Sequence, residues 1–347
     1  MRLRGVVIDA VAALAPMAGV TDRAYRTVCR ETVSRAPARA SGAGHDAPPY
    51  PLSGALYTTT EMVSAKALCH QDKKSLGLLR LAPDEHPAAA QIFGSDPACM
   101  AEGALRALAI SGADVIDINM GCPTPKIVKN GDGCALMRDP DRAEAVVRAV
   151  AAAVRVPVTV KMRLGWDGGS KNAAELAKRL EQAGAAGFCV HGRTGGQRYS
   201  GHADWYAVAD VVRAVFVPVV ANGDIFSLRD LERCLKITGA AMGMIGRAAM
   251  GNPFVFTGEE PDLPRRLERA ERHFTLMAGD KGERVACLEM RRHLAWYLRG
   301  LPYASRIKRE VASISEARDF DRCIQDLRGE RDGRVFGAGA DASGPGL

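Results

Sequence analysis

The sequence predicts a (β/α)8 barrel followed by a helical domain, and three observations carry that expectation. Short apolar, β-like runs recur eight times over the first 250 or so residues. Segments of helical period lie between most of them, as strand–helix alternation of a parallel barrel requires. Most of the runs end on a polar or reactive residue, and in a parallel barrel all such ends meet at one face.

The expected strands are 13–17, 55–62, 89–93, 115–119, 158–162, 187–191, 217–222 and 241–245. Segments 98–110, 141–154, 173–183 and 228–235 place apolar residues at i, i+3 and i+4 and read as helices. Gly112, Gly184 and Gly239 stand where those helices should close. The competing doubly wound fold would usually show G-x-G-x-x-G after its first strand, and none is present. Residues 31–53 are rich in Ala, Pro, Gly and Ser and read as a long flexible loop. The expected barrel thus spans 1–258, with that loop inside it. Segment 264–328 reads as a separate helical domain, and 329–347 as a disordered tail.

Charge and composition narrow the functional classes. Of 347 residues, 47% are hydrophobic and 25% charged, enough for a packed core. No apolar run approaches the ~18 residues of a membrane helix. The net charge is +7, and 265–328 alone holds 15 Lys/Arg against 10 Asp/Glu. That excess suits a polyanionic partner such as a nucleic acid. Nine cysteines, an odd number at loose spacing with no C-x-x-C pair, argue against a disulfide scaffold and a zinc site. The expected compartment is the reducing cytoplasm. The N-terminal MRLR with the apolar stretch after it has the outline of a signal peptide, but Asp9 interrupts it.

The strand ends carry the chemistry: Glu61, Gln91, Asn119, Lys161, His191 and Asn222. Loops after strands seven and eight often hold a phosphate in this fold. Here they contain Asn222, Gly223 and Asp224, then Gly246 and Arg247. Glycine lets the backbone approach an anion, and Arg247 can clamp it. Lys161 at a barrel rim needs an anionic partner, which a flavin ring supplies when reduced. The amides of Gln91 and Asn119 can read the edges of such a ring, and His191 can donate to it. Cys122, held between Gly121 and Pro123, projects a thiol from the rim. A free thiol is mostly protonated at neutral pH and can serve as a general acid. The loop 124–133 that follows could fold over a substrate.

In order and content these motifs resemble the tRNA-dihydrouridine synthase family, most of all its bacterial DusB-type branch. The matching pieces are LAPMAGVTDRAYR (14–26), TEMV (60–63), AQIFG (90–94), DINMGCP (117–123), VKMRLGW (160–166), VHGRT (190–194), ANGDI (221–225) and GRAAMGNPF (246–254). RRHLAWYLRGLP (291–302) resembles the family's C-terminal helical domain. The resemblance covers roughly 5–325 and departs at 35–52, where the family has a much shorter connection.

The resemblance implies an enzyme that holds FMN, takes electrons from NADPH or NADH and acts on tRNA. Pro16, Met17 and Ala18 match positions lining the flavin. Gln91, Lys161 and His191 match its polar contacts. Asn222, Gly223, Asp224, Gly246 and Arg247 match the ribityl and phosphate positions. Asn119 and Arg163 match residues near the target uracil, and Cys122 matches the catalytic acid. A hydride would reach uracil C6 from the reduced flavin while Cys122 protonates C5, on a base flipped out of the tRNA. The basic helical domain would grip phosphates. Neither a metal, a membrane nor an obligate protein partner is implied. Two rival readings are a flavin barrel acting on free pyrimidines and a non-catalytic nucleic-acid-binding regulator. Activity on tRNA but not uridine separates the first, and a yellow purified protein the second.

Overall fold

Strands buried on both faces carry no polar alternation, and the barrel is built from such runs. The computed structural model describes residues 1–10, 12–36, 55–301 and 304–331. The barrel strands are β1 (Ala12–Leu14), β2 (Thr58–Thr59), β3 (Ala88–Phe93), β4 (Val115–Met120), β5 (Val158–Met162), β6 (Gly187–His191), β7 (Val219–Asn222) and β8 (Met242–Ile245). From β2 to β8 each pairs in parallel with the next in chain order, and β8 pairs with β1. Tyr57, just ahead of β2, closes the ring by bridging Ala13; the Leu14 N–H donates to its carbonyl at 2.9 Å. β4 is buried at all six positions.

The barrel helices are α1 (Arg23–Ser34), α2 (Ala65–Cys69), α3 (Lys73–Leu78), α4 (Pro97–Ser111), α5 (Pro125–Val128), α6 (Pro140–Ala153), α7 (Ala173–Gln182), α8 (Trp205–Ala214) and α9 (Leu228–Thr238). Carboxylates of Asp22, Asp96, Asp139 and Asp204 cap α1, α4, α6 and α8 by accepting a first-turn N–H. Gly112 and Gly239 end α4 and α9 in the left-handed region, at φ 63 and 67.

Four boundaries differ from expectation for local reasons. β1 stops at Leu14 because the Met17 carbonyl is taken by the N–H groups of Val20 and Thr21, which begins a turn. β2 is two residues, not 55–62. Thr60 N–H bonds to the Ala89 carbonyl, Glu61 then turns away to accept from the Gly19 N–H, and parallel pairing with β3 resumes at Val63–Ser64, opposite Ile92 and Phe93. β7 starts at Val219 because Pro218 has no N–H and the Glu181 carboxylate holds those of Phe216 and Val217. Residues 31–34, expected in the flexible loop, form the last turn of α1, with Thr32 and Val33 buried; 37–54 lie outside the described residues.

An unexpected element closes the opposite end of the barrel. Arg2–Leu3 pairs antiparallel with Val6–Val7 through a turn at Arg4 and Gly5, both at positive φ. Leu3 and Ile8 are buried among Ala13, Ala89, Val115, Val220 and Met242. The apolar start that resembled a signal peptide thus packs in the barrel's hydrophobic core.

The chain divides into two compact units, the first Met1–Glu259 and the second beginning at Glu260. The second consists of α10 (Leu263–Lys281), α11 (Glu283–Tyr297), α12 (Ala304–Ser313) and α13 (Ala317–Arg331). Its core includes Leu267, Met277, Met290, Leu294, Ile324 and Leu327. Phe274 stacks on Phe320, with ring centroids 4.3 Å apart. α13 carries Gly329 and runs three residues past the expected end at 328. Residues 332–347, read as a disordered tail, lie outside the described residues. Among the described residues no helix is long and apolar enough to cross a membrane.

Candidate active site at the carboxyl ends of the strands

The parallel ladder brings the strand ends to one face, where a cavity of about 590 Å3 opens. That volume suits a cofactor or small ligand. Pro16, Met17, Ala18, Asn119, Cys122, Lys161, Arg163, His191, Asn222, Gly223, Asp224, Gly246 and Arg247 all line it. Gln91 does not. It is 1% exposed and sits level with Asp117 on the β3–β4 ladder, two positions below Asn119. Its Oε1 accepts from Asn119 Nδ2 at 2.9 Å and its Nε2 donates to Asp117.

Strand register sets the pairs. Asn119 lies opposite Lys161, and His191 opposite Asn222. Lys161 Nζ donates to Asn222 Oδ1 at 3.1 Å, and Asn222 Nδ2 donates to the Met244 carbonyl at 2.7 Å. Asn119 Oδ1 accepts the N–H groups of Gly121 at 3.2 Å and Cys122 at 2.9 Å. The turn that carries the thiol is therefore fixed from below. Cys122 Sγ lies 3.3 Å from Thr124 Oγ1 and is partly exposed at the cavity wall. Cys134, the next thiol along the chain, is fully buried, and burial pushes it up to about 11.

Arg163 is 3% exposed and donates to three carbonyls: Gly121 at 2.8 Å, Thr194 at 2.8 Å and Arg198 at 2.9 Å. It holds the loops after β4 and β6 together while still forming part of the cavity wall. Desolvation pulls its guanidinium below the ordinary arginine value. His191 Nε2 is buried with no hydrogen-bond partner among the described residues. Burial, then the charges of Lys161, Arg163, Arg193 and Arg247, push the imidazole down to about 2, so it is neutral at physiological pH. Gly223 at φ 111 leaves room for that ring, since a Cβ there would come within 2.7 Å of His191 Cδ2.

Sequence reasoning missed three residues here. Arg193 follows His191 by two and is buried against Asp224. The signal available was its place in the VHGRT motif. Tyr199 and Phe226 stand exposed at the cavity wall, with Arg247 Cζ 4.8 Å and 5.7 Å from their rings. Nothing in their local sequence marked them.

The lining contains four cations, Lys161, Arg163, Arg198 and Arg247, against one carboxylate, Asp224. Such a donor set favours an anionic ligand with a planar or phosphorylated part. With an unsatisfied buried imidazole beside it, the cavity fits a flavin of the kind the motifs imply.

Fold and cavity together define a parallel (β/α)8 barrel with a cationic cavity at its carboxyl face and a thiol in the cavity wall. The dihydrouridine synthase (Dus) family model matches residues 13–329, and the chain belongs to that family. It is 40% identical over 319 residues to a probable tRNA-dihydrouridine synthase 1 of Synechocystis sp., covering 88% of this chain and 83% of that one. It is 35% identical over 339 residues to tRNA-dihydrouridine synthase B of Pseudomonas aeruginosa, covering 94% and 95%. Among solved structures it is similar to histamine dehydrogenase from Rhizobium sp. 4-9, with a TM-score of 0.49 and 14% identity over 82% of this chain and 49% of that one.

Proposed function

We propose that this chain is a tRNA-dihydrouridine synthase: it holds FMN, draws on NADPH and reduces the C5–C6 double bond of specific uridines in tRNA. Family membership and the names of its relatives support the reading. The observation that carries it is Cys122, set by Asn119 at the wall of a cationic cavity on the barrel's carboxyl face.

Pro16, Met17 and Ala18 would form the apolar wall against the flavin, with Lys161 and His191 as its polar contacts. Asn222, Gly223, Gly246 and Arg247 would meet its ribityl and phosphate groups, and Asp224 would orient Arg247. When bound, the flavin supplies two-electron transfer between NADPH and the uracil ring. Cys122 holds the proton destined for uracil C5. Asn119 keeps a second amide hydrogen, and Arg163 keeps Nη2, as donors for the uracil carbonyls. Gln91 acts from behind, by holding Asn119. Neutral His191 adds no further charge among the cations, so it does not add to the repulsion they exert on one another.

The target base has to leave the tRNA stack to reach this face. The basic helices α10 to α13 would grip phosphates, with the work done in the cytoplasm, where tRNA is. Mapping dihydrouridine in tRNA from a strain lacking the gene tests the reading. Loss of one or more dihydrouridines, restored by the gene, is expected. An unchanged modification pattern contradicts it.

A further inference from the structure

Asp117 lies on β4 two residues before Asn119 and does not line the cavity. It is 5% exposed. Its Oδ2 accepts from Gln91 Nε2 at 2.6 Å, and its Oδ1 accepts from Thr159 Oγ1 at 2.6 Å. From Gln91 the bonds run on through Asn119 to the N–H groups of Gly121 and Cys122.

The direction of this chain is fixed at its upper end. A backbone N–H can only donate, so Asn119 must turn Oδ1 toward Cys122. Nδ2 of Asn119 then has to donate, and Gln91 must present Oε1. Gln91 is left with Nε2 pointing onward, so the next group must accept. A carboxylate does that at either oxygen. Were the last group unable to accept, one buried amide would lose its partner, and the pressure to flip would pass up to the Cys122 turn.

We propose that Asp117 is a positioning residue for Cys122, terminating a polarised hydrogen-bond chain that holds the thiol-bearing turn. The inference rests on the reading of Cys122 as the acid. The competing role is that of a counter-ion for Lys161. Burial raises the carboxyl, and the Thr159 and Gln91 hydrogen bonds and then the Lys161 charge act against that rise. The two hydrogen bonds come ahead of the charge among those opposing effects.

The two roles separate on substitution. In D117N the amide oxygen can accept from Gln91 while its NH2 donates to the Thr159 hydroxyl, so the chain survives without the charge. D117L removes the acceptor. Q91M breaks the middle link with a side chain of similar length and covers the case in which D117L does not fold. Amide hydrogen exchange of Gly121 and Cys122, followed in the purified protein, reports the turn directly and needs no turnover. Exchange at both should accelerate roughly tenfold or more in D117L and Q91M, as expected when a buried hydrogen bond is lost, and stay near wild type in D117N. Turnover on tRNA should follow the same order through kcat, with KM unchanged. Unchanged exchange in D117L and Q91M overturns the proposal, and so does D117N behaving like D117L. Wild-type protein inactive on tRNA would refute the functional reading while leaving the exchange result intact.

Discussion

Asp224 accepts both terminal nitrogens of Arg193, at 2.8 and 2.7 Å, and its Oδ1 also takes Arg247 at 3.0 Å. Asp224 itself sits at φ 53, an uncommon conformation for a residue with a side chain. Arg193 further donates to the carbonyls of Ser200 and Gly201. One carboxylate thus ties together the loops after β6, β7 and β8, while Arg247 stays exposed enough to meet an anion. Loss of Arg247 and loss of Asp224 should therefore have different effects. R247A should weaken FMN binding roughly ten- to hundredfold, by about 1.5–3 kcal/mol, with little change in thermal stability. D224A strands the buried Arg193 and should cost about 3–5 kcal/mol of unfolding free energy. Flavin titration and urea denaturation check the pair.

His191 should impose an acid-side slope on stability. Its folded value lies far below the ~6.5 of an unfolded histidine, because burial and then the neighbouring cations oppose its charging. For a depressed histidine the contribution is fully present above pH 6.5. It is lost as pH falls, since the unfolded chain takes up a proton that the native one refuses. The difference in unfolding free energy between wild type and H191Q should change by about 1.4 kcal/mol per pH unit between pH 6 and 4 in flavin-free protein. Asp224 contributes little in that window. Burial raises its carboxyl, but the Arg193 bonds, the Ala203 N–H and the Arg247 charge hold it below the ordinary value. Its stabilisation is lost only at lower pH. A slope identical in both proteins would mean that His191 titrates normally.

The helical unit should bind tRNA through phosphates. Arg284 and Arg309 are exposed on α11 and α12. R284E and R309E should each weaken tRNA binding and lower the slope of log affinity against log salt by roughly 0.7–0.9 per lost phosphate contact. Fluorescence titration at several salt concentrations measures both. The flavin spectrum should not change.

How much of this was legible depended on the physics each feature obeys. Strand ends such as Asn119 and Lys161 were readable because a parallel barrel sends every one of them to the same face. Gln91 looks like one more polar residue in an apolar run, yet Ile92 and Phe93 follow it in the strand, and its register with Asp117, which places it two positions below Asn119, is not written in one strand. Arg163 reads as a rim cation, but only the folded loops show that three carbonyls occupy it. The Arg2–Val7 hairpin was hidden because its apolar residues look the same in a leader as in a barrel core. α8 went unread although Asp204 caps it, because its helical period is short and follows a Gly- and Ser-rich loop.

The central claim, that Cys122 delivers the proton to uracil C5, is tested most directly by following flavin absorbance in a stopped-flow instrument. In C122A, reduction by NADPH should proceed near the wild-type rate, because no proton from this thiol is needed. Reoxidation by tRNA should slow by roughly 10²–10⁴-fold, the usual contribution of a general acid. C134A is the control and should reoxidise like wild type, since Cys134 is packed away from the cavity. Reoxidation of C122A at the wild-type rate would contradict the account and leave Cys122 as no more than a residue of the turn.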